Sequence, residues 1–159
     1  MSINEKLNGI KGVYEGLAKV RDKYRDEAVE KITEIAKLLL PITDYMDSNN
    51  ILYGNDEIEK GRRKSRHGFV VGKNAKNPNN LYVYRYNGLV RMVDEDDVVD
   101  ERFGITLKAY IDFAYFKEIS RGFAYVSKIQ DAIEIMIADE TEALECFTSE
   151  CKNFIESFQ

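Results

Sequence analysis

Apolar residues recur at steps of three and four along the first quarter of the chain, at Ile3, Leu7, Ile10, Tyr14, Leu17, Val20, Tyr24, Ala28, Ile32, Ile35 and Leu39. That spacing keeps one face of a 3.6-residue helix apolar, and Ser2-Ile-Asn-Glu5 at its start has the S-x-x-E form of a capping box. The pattern predicts one long helix over residues 1–41, ended by Pro41. At a rise of about 1.5 Å per residue such a helix is roughly 55–60 Å long. A small domain has no core to bury it end to end. Either it kinks at Gly9, Gly12 or Gly16, or part of its stripe meets a partner or a second copy, and a homodimer through this helix is expected.

The helical period lapses over residues 42–66, where "DSNN", "YGND" and "KGRRKSR" read as an extended, turn-rich connection. A short strand follows in "HGFVVGK", a loop in "NAKNPNN", an alternating strand in "LYVYRYNG" and a third in "LVRMV". Asn87-Gly88 between the last two is a strong hairpin signal, because a two-residue type I′ turn needs positive φ at both positions. That turn would set Tyr86 opposite Leu89, Tyr84 opposite Arg91 and Tyr82 opposite Val93. Residues 67–93 thus predict a three-stranded antiparallel meander.

Helical spacing returns over 105–158, first at Tyr110, Phe113, Phe116, Ile119, Phe123, Val126, Ile129, Ile133 and Met136, with a break expected at Ser120-Arg121-Gly122. Asp139 to Glu142 reads as a second capping box, followed by a final helix whose buried face is Leu144, Phe147, Cys151, Phe154 and Phe158. The predicted fold class is α+β: a single domain, 1–159, with a long N-terminal helix, a three-stranded antiparallel meander and C-terminal helices packed on the sheet.

Composition adds little to this and excludes some classes. With 159 residues, 44% of them apolar, the chain can build a core. No basic and apolar leader opens it and no apolar run approaches 18 residues, so a cytoplasmic protein without membrane contact is expected. Cys146 and Cys151 point to different faces of one helix and suggest neither a disulfide nor a metal site.

Charge changes the picture more. The net charge is -5, yet Lys60 to Val93 holds nine cations (Lys60, Arg62, Arg63, Lys64, Arg66, Lys73, Lys76, Arg85, Arg91) and no carboxylate. Residues 1–59 sum to -4 and residues 94–159 to -10. The acidic side concentrates in "DEDDVVDE", with Asp94, Glu95, Asp96, Asp97, Asp100 and Glu101. Segregation of this kind predicts a positive surface toward an anionic partner, formed by Lys60, Arg62, Arg63, Lys64, Arg66, His67, Lys73 and Lys76. Internal pairing of the basic segment with the acidic one is the competing reading.

Tyr82, Tyr84 and Tyr86 share one face of the second strand, with Arg91 across from them. Tyrosines among cations suit stacking on the bases of single-stranded nucleic acid. They equally suit a sheet packed under helices. Nothing points to catalysis. His67 is the only histidine and has no orienting carboxylate in view, the acidic run lacks the spacing of a calcium loop, and no phosphate-binding glycine pattern occurs, so no cofactor and no metal are expected. The sequence favours a non-enzymatic binding or inhibitory protein acting on a macromolecular partner, and its Lys, Asn and Ile usage is similar in style to accessory proteins of phages and mobile elements. Nucleic-acid binding, and binding of a small anionic ligand such as a nucleotide, are the alternatives.

Overall fold

A computed structural model describes residues 1–58 and 63–159, so Lys60 and Arg62 lie outside the described residues. Helix α1 (Ile3–Leu38) starts as its capping box dictates: the Glu5 amide donates to Ser2 Oγ at 3.2 Å and the Ser2 amide to Glu5 Oε2 at 2.8 Å. It runs unbroken through Gly9, Gly12 and Gly16, which face open space. Pro41 opens a helix instead of ending one. It sits in the first turn of α2 (Leu40–Ser48), where an amide would have no intrahelical acceptor anyway. The stretch expected to be extended from residue 42 is therefore helical to Ser48.

The chain divides into two units, Met1–Val126 and Ser127–Gln159. In the first, β1 (Phe69–Lys73), β2 (Leu81–Tyr84) and β3 (Arg91–Val93) form an antiparallel sheet in the order β1-β2-β3. The β2–β3 register pairs Tyr82 with Met92 and Val83 with Arg91, one residue off the expected pairing. The turn explains the shift. Gly88 N–H donates to Arg85 O at 2.9 Å and only Asn87, at φ 60°, takes the left-handed conformation, so the two-residue type I′ geometry does not form.

All four residues of β2 are buried. Helices α3 (Leu107–Ile111) and α4 (Phe116–Ser127) pack on the sheet, with the Phe123 ring 4.5 Å from Phe69 and the Tyr110 hydroxyl donating to Val71 O at 2.8 Å. Gly122 permits this approach, since a Cβ there would collide with Val70 O. Asn55, wholly buried, donates from Nδ2 to Val70 O and to Glu118 O at 2.6 Å each and so joins strand to helix. The helical run expected to break at Ser120–Gly122 breaks instead between α3 and α4, leaving Phe113 and Phe116 more than half exposed, and again at Lys128.

Only part of α1 joins this core. Ile32 and Ala36 are buried, while residues 1–24 are all exposed, and Leu17 and Ile35, expected in a buried stripe, stand 42% and 41% exposed. The anchoring starts where Arg25 meets Asp112 at 2.6 Å and Asp26 meets Lys108 at 2.9 Å. In the second unit, α5 (Ile129–Glu156) is one uninterrupted helix with no new start at Asp139. It buries none of its residues. The face expected to be buried, Leu144, Phe147, Phe154 and Phe158, is exposed, with Cys151 partly so.

Candidate functional site

The described part of the basic segment meets the acidic turn of the same chain. Asp97, at φ 59°, is the hub: its carboxylate accepts from Ser65 Oγ at 2.6 Å and from the Arg66 amide at 3.0 Å, and its carbonyl oxygen lies 2.8 Å from His67 Nε2. That His67 nitrogen therefore carries a proton. Arg63 donates to Asp94 O, whereas the exposed Arg66 side chain stands 3.5 Å from Asp97. Lys64 is half-buried. Asp94 Oδ1 caps its own turn by accepting from the Asp96 and Val98 amides at 2.9 Å, and Asp100 does the same for Arg102 at 3.0 Å. Glu95, Asp96 and Glu101 point into solvent. Among the described residues no group of three or more His, Cys, Asp or Glu side chains is arranged to hold a metal ion.

The tyrosine row is not an open platform. Tyr82 and Tyr84 are 8% and 2% exposed and Tyr86 is half-buried. Tyr84 lines a small cavity with Ala36, Leu40 and Thr43. Arg91 reaches the Phe103 carbonyl at 3.4 Å. Arg85 is bound to Asp47 by two hydrogen bonds and lies over the Tyr53 ring, so it serves the fold.

Three of the residues singled out in the sequence, Lys73, Lys76 and Tyr82, come together with groups the sequence did not point to. They line a half-open cleft of about 380 Å³ with Asn74, Tyr110, Phe113, Tyr115 and Glu118. Asn74 builds one wall. Its Oδ1 accepts from the amides of Lys76 (2.9 Å) and Asn77 (3.0 Å), which fixes the loop after β1, and its Nδ2 donates to Tyr82 Oη at 2.9 Å. The other wall is aromatic: Tyr82, Tyr110 and Phe113 meet edge to face, with centroids 5.2 to 6.0 Å apart. Phe113 and Tyr115 are exposed by 53% and 69%, and Lys73 and Lys76 are exposed too, so these four form the rim.

Gly72 lets the cleft close at its base. The β1–β2 register shifts between Val70 and Gly72, and a Cβ at residue 72 would occupy the place of the Tyr110 hydroxyl and come within 3.1 Å of Glu118 Oε2. Burial holds the Glu118 carboxyl above the usual carboxylate range, with Glu57 adding to the rise and the Lys73 amide and charge opposing it. Burial, then the Glu118 charge, pushes the Tyr110 hydroxyl well above the ordinary tyrosine value. The cleft therefore offers ring surfaces, two cations, a fixed amide and a carboxyl that takes up a proton more readily than usual.

No protein-family model matches the chain, and no curated protein or solved structure matches it either.

Proposed function

We propose that this chain is a protein-binding protein whose contact face is the exposed N-terminal part of α1. The observation that carries this reading is the row Ile3, Leu7, Ile10, Tyr14 and Leu17, which steps by 4, 3, 4, 3 along a regular helix and stands between 42% and 78% exposed. Val13 and Val20 widen it. Side chains that each show on the order of 100 Å² make a continuous patch of several hundred Å², about the size that marks interaction surfaces on soluble proteins.

The row has the spacing of a coiled-coil seam, and the seam is flanked by Lys6 and Lys11 with no carboxylate at the equivalent positions. Two such helices would oppose cation to cation, so the complementary partner is an amphipathic helix with acidic flanks. The basic segment contributes less than its charge implies, because Asp94 and Asp97 already occupy part of it. Among the described residues no helix is long and apolar enough to cross a membrane.

The test is capture from a native extract by the whole chain, with nuclease present, against the Ile10→Asp and Tyr14→Asp variants. Both positions are exposed by 65% or more, so melting temperatures should stay within about 2 °C of the parent. Loss of a captured protein in both variants supports the reading. Equal capture by parent and variants overturns it, and light scattering of the purified chain separates a second copy from a foreign partner.

A further inference from the structure

We propose that the cleft between the Asn74 loop and the α3–α4 junction binds a nucleotide unit, its base stacked on the exposed Phe113 and Tyr115 rings and its phosphate held by Lys73 and Lys76. The proposal is independent of the α1 face. Its volume of about 380 Å³ lies in the range of small-ligand pockets, which run from about 300 to 1,000 Å³.

The lining selects the ligand by elimination. A purely apolar ligand would leave Lys73 and Lys76 without use; Lys73 ends β1, and Lys76 follows on the loop that Asn74 holds in place through hydrogen bonds with Lys76, Asn77 and Tyr82. The backbone that carries the two cations is thus set in place, so an anion meeting both orders two side chains and no loop, which favours phosphate recognition over a chance surface pair. An inorganic anion alone would leave the aromatic wall empty. Phe113 is braced from behind by Tyr82 and Tyr110 and keeps half its surface in solvent, the arrangement a planar ring system needs for stacking.

Two further groups address the edge of a base. The Tyr82 hydroxyl accepts from Asn74 and, among the described residues, donates to nothing, so its O–H is available to a ring nitrogen or carbonyl. Glu118 offers a carboxyl whose charge is disfavoured by burial, and a base N–H or amino group satisfies it without adding another anion. Free nucleotides and the terminal unit of a single strand present the same chemistry.

The experiment follows the tyrosine fluorescence and the backbone amide resonances of the whole chain on titration with GMP, AMP, adenosine, inorganic phosphate and a five-nucleotide single strand. Saturable binding of a mononucleotide at least tenfold tighter than adenosine or phosphate alone is expected, with shifts centred on residues 73–76 and 113–118. Lys73→Ser with Lys76→Ser, and separately Tyr115→Ala, should each weaken it about tenfold or more, while Arg66→Ser and Ile10→Asp leave it unchanged. Binding of the strand alone, lost in the same cleft variants, assigns the site to nucleic-acid ends. No binding of either probe, or binding indifferent to the cleft variants, overturns the proposal, and α1-dependent capture is unaffected by that result.

Discussion

Arg85 grips Asp47 with both arms of its guanidinium, Nη1 to Oδ2 at 2.6 Å and Nη2 to Oδ1 at 3.1 Å, and so fastens the β2–β3 turn to α2. The same carboxylate accepts from the Tyr53 hydroxyl at 2.9 Å, and Arg85 Nη2 also reaches Arg66 O at 2.9 Å. Exposed ion pairs contribute about 0–1 kcal/mol, but a two-pronged pair that also satisfies a buried tyrosine sits above that range. Because the Arg85 side chain is 46% exposed, Arg85→Ala should cost about 1–2 kcal/mol in urea unfolding. Arg85→Lys, which keeps the charge and loses the fork, should recover less than half. A loss below about 0.3 kcal/mol in the alanine variant would remove this network from the fold's supports.

The base of the cleft gives a second prediction. Gly72→Ala should cost about 1–3 kcal/mol, because the new methyl group takes the place of the Tyr110 hydroxyl. Tyr110→Phe should cost about 1–2 kcal/mol by leaving Val71 O without its donor. The double variant should cost at least about 1 kcal/mol less than the sum, since deleting the hydroxyl makes room for the methyl. Strict additivity would mean that the two groups do not compete for one space.

What the sequence made legible was local. Ser2 and Glu5 form the capping box because both partners lie within one turn, and the three strands fall where alternation put them. The register slipped by one because a single left-handed residue, Asn87, was enough to close the turn, and sequence alone does not tell one such residue from two. Amphipathic spacing lays out an apolar stripe on α1 and on α5 but is silent on what covers it, so Leu17 and Phe147, expected inside, stand outside. The cleft was half legible. Lys73, Lys76 and Tyr82 stand out by charge and alternation, whereas Phe113, Tyr115 and Glu118 come from the α3–α4 region more than 30 residues further on, where only Phe113 belongs to the apolar stripe.

Glu118 links the cleft to pH. A carboxyl whose pKa is raised by folding binds its proton more tightly in the folded state, so its contribution to stability improves as pH falls toward the unfolded value of about 4.5 and is unfavourable above the raised one. Glu118→Gln removes that penalty and keeps an acceptor for the Lys73 amide. The variant should be more stable than the parent at pH 8, with the difference shrinking as pH is lowered toward 4.5. Unfolding curves at four pH values decide it, and a difference that grows on acidification would reverse the assignment.

Asp97 and Arg66 separate the structural use of the acidic turn from mere charge pairing. Arg66 reaches Asp97 only at 3.5 Å with two thirds of its side chain in solvent, and such a pair contributes close to nothing. Asp97 is 19% exposed, and its oxygens satisfy the Ser65 hydroxyl and the Arg66 amide while its own backbone carries the left-handed bend that brings its carbonyl to His67. Arg66→Ser should therefore leave the melting temperature within about 1 °C of the parent. Asp97→Ala should lower it by roughly 4–8 °C, for it removes two acceptors and places a residue less tolerant of positive φ at the bend, about 2 kcal/mol in all. Asp97→Asn keeps one oxygen acceptor and the tolerance of positive φ, and should fall between the two. If Arg66→Ser proved as damaging as Asp97→Ala, the segment would be held by charge, and its cations would belong to the fold instead of to the surface.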